Sequence, residues 1–504
     1  MSSSEAKLKE IRVRMAPSPT GLLHVGNART ALFNYLFAKH EGGKLILRIE
    51  DTDLERSKPE FEKDILKNFE WLDIKWDEGP YRQSERTAIY AEYLGRLLKE
   101  NKAYYCFCSE EELEAVRQDQ LSRGLAPKYN GKCHNLAPEE IKECLSKGKP
   151  SIIRFRTRQE KISFTDLIRG KIEFDSSLIG DFAIAKDLNT PLYNFAVVVD
   201  DFEMKISHII RGEDHIPNTP KQILIQEALG FPQPKYAHLP LILGPDKSKL
   251  SKRHAAVSVA NYREEGYLPE ALINFMAFLG WNPGTDQEIY SLGALAQEFS
   301  LDRVQKAGAI FNIKRLDYLN GFYIRQKSLD ELTELCQPYL PARIATQSVA
   351  GGPKAEKAFL KKIVGLHQER LKKLSEIKEF TDFFFQDKLD YDKELLRWKE
   401  TDDERIAASL DKTEKLLSEI SERNWAKENL EKVLMQEAEK IGPPATLRSP
   451  EGVAMRAGDR GLVLWPLRVA LTGKKASAGP IEIAEILGKE KTLTRLQEAR
   501  ALIK

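Results

Sequence analysis

The sequence predicts an α/β fold built on a mostly parallel sheet, followed by an all-α region. Before about residue 330, short apolar runs alternate with amphipathic helical patterns, and strands alternating with helices favour a parallel sheet. After it, apolar residues recur every three or four positions with charges between them, which is the period of amphipathic helices.

The sequence predicts that the first strand, the helix after it and the second strand form one βαβ unit. In IRVRMA, from residue 11, apolar residues alternate with Arg12 and Arg14, which is the period of a strand with one polar face. A helical stripe follows at Val25, Ala28, Leu32 and Leu36, and Gly42 and Gly43 end it before the strand GKLILRIED. Further strands are expected at YNFAVVVDD (193–201), ISHIIRGED (206–214) and YAHLPLILGPD (236–246).

Length and composition set the general class. A chain of 504 residues predicts two to four domains. The net charge is only +2, which neither requires nor excludes a nucleic-acid partner. The start lacks the apolar core of a signal peptide, and the longest apolar run, ALINFMAFLGW, is too short to span a bilayer. We therefore expect a cytoplasmic protein without a membrane segment.

Two turns are candidates for binding phosphate. Gly21 and Gly26 allow close backbone approach before the first helix, whose N-terminus offers free N–H groups beside His24. A second turn, near residue 245, gathers four cations that suit a clamp on a triphosphate: Lys247, Lys249, Lys252 and Arg253. The alternatives are an ordinary turn with a structural histidine and a solvated basic loop.

Together these turns resemble a known pair of motifs. HVGN at 24–27 resembles the HIGH motif, and KLSKR at 249–253 the KMSKS motif, of class I aminoacyl-tRNA synthetases. With APSPTG, RIEDTD and IIRGEDH, the chain is similar almost end to end to bacterial-type glutamyl-tRNA synthetases.

The resemblance implies a domain order. A Rossmann-type catalytic domain would comprise residues 10–106 and 193–255, interrupted by an acceptor-binding insertion at 107–192. A stem-contact region would follow at 256–330, and helical anticodon-binding subdomains at 331–424 and 425–504. Within the insertion, IIRFRTR would align arginines on one strand face for tRNA phosphates.

The implied activity is that of a glutamate–tRNA ligase. Such an enzyme uses ATP with Mg²⁺ to activate L-glutamate as an adenylate, and then transfers the glutamyl group to the terminal adenosine of tRNA-Glu. No protein nucleophile is needed, so catalysis rests on positioning and charge stabilisation. The expected partners are tRNA-Glu, ATP and L-glutamate, and the expected state is a monomer.

The resemblance also assigns site residues. His24, Lys249 and Lys252 would be catalytic, and ATP would be bound by His24, Gly26, Asn27, Lys249, Ser251 and Lys252. Glutamate would be bound by Arg14, Ala16, Ser18, Glu50, Tyr193 and Arg211, because a carboxylate calls for guanidinium groups. The family's asparagine four residues after the tyrosine is Val197 here. For each arginine the alternative is a structural ion pair with Asp51, Asp53 or Glu213.

Five cysteines in a long chain argue against a disulfide framework. Cys106, Cys108 and Cys133, with an oxygen or nitrogen donor, suit a tetrahedral structural zinc site. Some members of the family carry such a site with Cys, Cys, Tyr and Cys, and Tyr129 has the matching spacing. Others use a histidine two residues after the last cysteine, where this chain has Asn135, so His134 is an alternative ligand. Many homologues lack zinc.

Three other functions are compatible with part of this sequence pattern. A glutaminyl-tRNA synthetase shares the catalytic motifs, but its anticodon-binding part resembles β-barrels rather than helices. A truncated tRNA-modifying paralogue would lack the C-terminal half. A non-catalytic tRNA-binding paralogue would not be expected to keep His24, Lys249 and Lys252.

Overall fold

The computed structural model describes residues 10–53, 55–250, 258–341, 352–440 and 460–503. The chain divides into two compact units, residues 1–319 and 320–504. Within the described ranges, none of the helices has the length and apolar character that crossing a membrane requires.

The strands belong to the first unit. They are β1 (Arg12–Met15), β2 (Lys44–Ile49), β3 (Glu78–Arg82), β4 (Ala103–Cys106), β5 (Ile152–Phe155), β6 (Lys161–Asp166), β7 (Gly170–Asp175), β8 (Ala183–Asp187), β9 (Thr190–Pro191), β10 (His208–Gly212), β11 (Lys235–Leu239), β12 (Ile242–Leu243) and β13 (Ala309–Ile310).

The helices of the first unit are α1 (Val25–His40), α2 (Pro59–Trp71), α3 (Thr87–Lys99), α4 (Glu110–Ser122), α5 (Pro138–Ser146), α6 (Tyr193–Glu203), α7 (Thr219–Leu229), α8 (Val259–Glu264), α9 (Pro269–Ala277) and α10 (Leu292–Glu298). Helix α11 (Ile313–Gln326) contains the boundary. The second unit continues with α12 (Leu329–Cys336), α13 (Gly352–His367), α14 (Glu376–Thr381), α15 (Asp403–Ser418), α16 (Lys427–Lys440), α17 (Gly461–Thr472), α18 (Pro480–Leu487) and α19 (Lys489–Leu502).

The predicted parallel sheet and βαβ unit are confirmed. Strand β2 pairs in parallel with β1 and β3, and β10 with β11. The Ser207 N–H donates to Arg12 O at 2.9 Å, which places β10 beside β1. The predicted stripe of α1 is buried against this sheet. A Cβ on Gly43 would lie 2.3 Å from Ile11 O, so glycine is needed where the chain enters β2.

One expected strand is wrong, because its residues form a helix, and another is divided into two strands. YNFAVVVDD forms helix α6, whose residues 195–201 are all buried. A continuous apolar run does not show the one-sided period of an amphipathic helix, so a fully buried helix resembles a buried strand in sequence. The apolar run 239–243 is split between β11 and β12 at Pro240, which has no N–H for a strand ladder.

The second unit confirms the all-α prediction, because its described residues form helices and no β-strand. Its apolar core draws on every helix from α13 to α19 except α14, which packs against α13. Leu410 of α15, Leu434 of α16, Leu467 of α17 and Leu496 of α19 are all almost fully buried in this core.

Candidate active site

A cavity of about 420 Å³ opens at the carboxyl ends of β1, β2 and β10. Open α/β sheets bind ligands at this edge, because the strands of a parallel sheet all end there. The structure brings ten predicted site residues to its wall: Arg14, Ala16, Ser18, His24, Gly26, Asn27, Glu50, Tyr193, Arg211 and Lys249. The other two residues predicted to bind ATP, Ser251 and Lys252, lie outside the described residues.

Arg14 stands on β1, one residue before the strand ends, and its side chain is buried. Its Nε lies 3.2 Å from Oδ1 of Asp201 on α6. This ion pair is none of those expected from sequence. Within the described ranges the two Nη groups of Arg14 have no hydrogen-bond acceptor, so they are available to a ligand in the cavity.

Arg48 links Glu50, which lies on the cavity wall, to Asp201, which does not. The fully buried Arg48 side chain donates from Nη1 to Asp201 Oδ1 at 2.8 Å and from Nη2 to Glu50 Oε1 at 3.0 Å. Burial raises the pKa of Glu50, with Arg48 opposing it. At Asp201 burial also acts to raise the pKa, but Arg14 and Arg48 outweigh it and the pKa is lowered. The cluster places a carboxylate and a guanidinium at one end of the cavity.

Arg211 stands near the end of β10 and is buried. Its Nε donates to His238 Nε2 at 3.2 Å and its Nη2 to Thr219 Oγ1 at 2.9 Å. Its Nη1 is buried without a hydrogen-bond partner in the part of the chain that the structure describes. An orphaned guanidinium nitrogen on a cavity wall is suited to an anionic ligand.

Tyr193 begins helix α6 beside Arg211. Its hydroxyl lies 3.0 Å from Nδ1 of His215, a further residue of the cavity wall. Burial, reinforced by Arg211, lowers the pKa of His215 to about 4, so this ring is neutral at pH 7. Burial raises the pKa of Tyr193, which therefore keeps its proton.

His24 is the N-cap of α1. Its Nδ1 accepts a hydrogen bond from the Gly26 N–H at 2.9 Å, so Nε2 carries the proton when the ring is neutral. Burial and the nearby Lys249 lower its pKa. Lys249 is mostly exposed and lies 3.5 Å from Asp214. This end of the cavity offers an N–H donor, a helix N-terminus and an ammonium group, all suited to phosphate.

The cysteine cluster forms a second candidate site. The Sγ atoms of Cys106, Cys108 and Cys133 all lie within 4.8 Å of one another. The Tyr129 hydroxyl is 3.4 Å from Sγ of both Cys106 and Cys108. His134 is not part of this group, and its Nδ1 instead lies 2.7 Å from Asp181.

The arginines of IIRFRTR support this cluster. Arg154 is buried with its guanidinium 4.1 Å from the Tyr129 ring centroid. Arg156 lies over Tyr104 and donates to His134 O at 2.7 Å. The sequence predicts that Arg154 contacts tRNA phosphates together with its neighbours on one strand face, but its side chain is buried against Tyr129 and is not free for such a contact.

Comparison with known proteins agrees with this geometry. The family described as tRNA synthetases class I (E and Q), catalytic domain, matches residues 10–318. The chain belongs to this family. An anticodon binding domain also matches, over residues 331–445 and 455–500.

Relatives match this synthetase over nearly their whole length. Glutamate–tRNA ligase 1 of Caldicellulosiruptor saccharolyticus is 47% identical, with 97% of this chain and 98% of the relative covered. Glutamate–tRNA ligase 2 of Thermoanaerobacter pseudethanolicus is 44% identical, with 98% of each covered. A crystal structure of a glutamate tRNA ligase from Elizabethkingia meningosepticum, in complex with its amino acid, has a TM-score of 0.83 at 34% identity, covering 98% of this chain and 100% of that one.

Sequence reasoning missed several polar residues of this synthetase. His215 lines the cavity, and Arg48, Asp201 and His238 contact residues of its wall. The available signal was charge in apolar runs: an arginine inside the β2 run and two aspartates directly after FAVVV. Val197, at the family's asparagine position, lies in the apolar core of the first unit.

Proposed function

We propose that this protein is a glutamate–tRNA ligase that activates L-glutamate with ATP and transfers it to the 3′-terminal adenosine of tRNA-Glu. One observation carries the proposal: a single cavity is lined by two guanidinium groups, a carboxylate and the N-terminus of helix α1, which is suited to phosphate. The near full-length similarity to glutamate–tRNA ligases supports it.

Selection of glutamate rests on Arg14, Arg211 and Glu50. The free Nη groups of Arg14 and the orphaned Nη1 of Arg211 bind the side-chain carboxylate of the amino acid, and Glu50 binds its ammonium. Glutamine would present an amide N–H₂ to these donors. Leaving a buried arginine unpaired costs roughly 3–5 kcal/mol, which is about two to four powers of ten in rate. Ala16, Ser18 and Tyr193 complete this part of the wall.

ATP binds at the other end of the cavity. His24 donates from Nε2 to the phosphates as charge builds at the α-phosphorus, and Gly26 and Asn27 present the first turn of α1. Lys249 and Lys252 stabilise the departing pyrophosphate, and Ser251 belongs to the same ATP-binding motif. Mg²⁺ supplied with ATP neutralises phosphate charge. The amino acid's α-carboxylate attacks the α-phosphorus, and the chain's contribution is to hold the two reactants in line.

The tRNA is bound by the rest of the chain. We assign acceptor binding to residues 107–192, stem contact to 256–330 and anticodon binding to 331–424 and 425–504, on the strength of the family match and the helical second unit.

The cysteine cluster fits a structural zinc ion. A tetrahedral ion with zinc–sulfur bonds of about 2.3 Å has sulfur ligands about 3.8 Å apart, and an oxygen ligand lies slightly closer to them. The Cys108–Cys133 Sγ distance of 3.6 Å and the two Tyr129 distances of 3.4 Å agree with that spacing. Three thiolates and a phenol oxygen are therefore the proposed ligands, and the ion would join β4 to the loop that carries Cys133.

The experiment that tests the function is ATP–pyrophosphate exchange with glutamate or glutamine, with and without tRNA. We expect exchange with glutamate only, with strong dependence on tRNA. Exchange with glutamine would support the glutaminyl-tRNA synthetase instead. No exchange with either amino acid, together with retained tRNA binding, would support the non-catalytic paralogue.

A further inference from the structure

A buried chain of side chains lies behind Arg211. Oδ2 of Asp166, at the end of β6, is 2.6 Å from His238 Nδ1 on β11, and His238 Nε2 is 3.2 Å from Arg211 Nε. The side chains of Asp166 and His238 are both fully buried. Neither residue lines the cavity; His238 Nε2 contacts the cavity residue Arg211 and also lies 3.2 Å from Thr219 Oγ1.

The hydrogen bonds determine where the protons lie. Asp166 Oδ1 accepts from the backbone N–H groups of Ile168 and Arg169 at 2.9 and 2.8 Å, and its Oδ2 from the His238 N–H at 3.1 Å. An acceptor of this kind is an ionised carboxylate, so His238 Nδ1 is the donor to it. Nε2 then carries a lone pair and accepts the Arg211 Nε–H.

Among the residues that the structure describes, this arrangement leaves the Arg211 guanidinium without an ionic partner in direct contact. Thr219 Oγ1 and His238 Nε2 are neutral acceptors for Arg211, whereas Arg14 is held directly by the Asp201 carboxylate. Burial lowers the pKa of His238 although Asp166 opposes this, so the ring is neutral. Arg211 is therefore fixed at Nε and Nη2 while its positive charge remains available at the orphaned Nη1.

We infer that His238, held in its Nδ1–H tautomer by Asp166, is a positioning residue that orients Arg211 and thereby contributes to the choice of a carboxylate over an amide. The inference rests on the proposed function, in which Arg211 binds the side-chain carboxylate of glutamate. A merely structural role would tie β6 to β11 without depending on the tautomer of the ring.

The variant Asp166→Asn tests the positioning role by reversing the tautomer. With its amide oxygen kept on the Ile168 and Arg169 N–H groups, its NH₂ replaces Oδ2, so the hydrogen bond from the His238 backbone N–H is lost. The same NH₂ faces His238 Nδ1 and drives the ring proton to Nε2, where it meets the Arg211 Nε–H. We expect the KM for glutamate to rise about 10- to 100-fold, with a similar loss of preference for glutamate over glutamine. The KM for ATP should change less than about threefold.

The matched control is Tyr236→Phe on β11, the strand that also carries His238. It removes the hydrogen bond from the hydroxyl to Gln226 but keeps the ring that stacks on His238. We expect it to leave the KM for glutamate and the amino-acid preference within about twofold of the wild type. Equal effects of both variants would overturn the inference.

A second measurement reads the tautomer in the wild-type protein itself and does not use Asp166→Asn. Imidazole ¹⁵N spectra of the wild-type protein labelled at histidine, with His238→Gln to assign the signals, should report a neutral Nδ1–H ring at position 238 at pH 7. A neutral Nε2–H ring or a protonated ring would overturn the inference. Failure of the proposed function is a different result, because the wild type would then show no exchange with glutamate.

Discussion

His24 Nδ1 accepts a hydrogen bond from the backbone N–H of Gly26 at 2.9 Å, so the side chain that faces the cavity is also the N-cap of α1. The two roles use different nitrogen atoms. Nδ1 caps the helix and Nε2 is left as the donor to a phosphate, which makes them separable by substitution.

His24→Asn should keep the cap and lose the phosphate donor, because asparagine Oδ1 is itself a favourable N-cap acceptor. We expect turnover to fall about 10²- to 10³-fold with stability almost unchanged. His24→Ala should lose the same activity and about 1 kcal/mol of stability as well. Aminoacylation rates, tRNA affinity and urea unfolding check this; His24→Asn with wild-type turnover, or with tRNA binding reduced as much as turnover, would refute the phosphate role.

Arg48→Met should destabilise the first unit by about 3–5 kcal/mol, because it leaves the carboxylates of Glu50 and Asp201 buried without their shared partner. The matched control is Arg12→Met, whose ion pair with Glu78 is partly exposed and worth about 1 kcal/mol. Urea unfolding of both variants measures the difference. Equal destabilisation would show that Arg48 is not the centre of the cluster.

The Arg12–Glu78 pair should make stability depend on pH. A hydrogen bond from Arg12 lowers the pKa of Glu78 to about 2 from its ordinary 4.5. Because the folded pKa is depressed, the stabilisation is present above pH 4.5 and is lost as the pH falls from 4.5 towards 2. Glu78→Gln should therefore cost about 1 kcal/mol at pH 7, since solvent screens the pair, and progressively less below pH 4.5. A difference between wild type and variant that does not shrink on acidification would contradict this.

Protein purified without chelator should contain one zinc ion per chain by elemental analysis. Cys133→Ser should lose the metal, because it removes one of the three clustered thiols. Cys144→Ser is the control, since Cys144 lies in the same insertion but outside the cluster. No stoichiometric zinc in the wild type would contradict the site, and so would equal zinc loss in both variants.

Local pattern was enough to predict much of the site. The alternation around Arg14, the helix stripe after His24 and the cations around Lys249 are each readable within about 20 residues of sequence, and the cavity brings all three together. Helix α6 was the main error, because a fully buried helix lacks the one-sided period by which helices are recognised.

The sequence by itself determined the class of fold, the family and ten residues of the cavity wall, since periodicity and motifs are properties of neighbouring residues. Only the tertiary structure decided the partners of those residues. Asp201 meets Arg14 from 187 positions away, and Asp166 meets His238 from 72 positions away. Such pairs are selected by the packing of distant elements, which brings charges together in a buried space where each needs a partner.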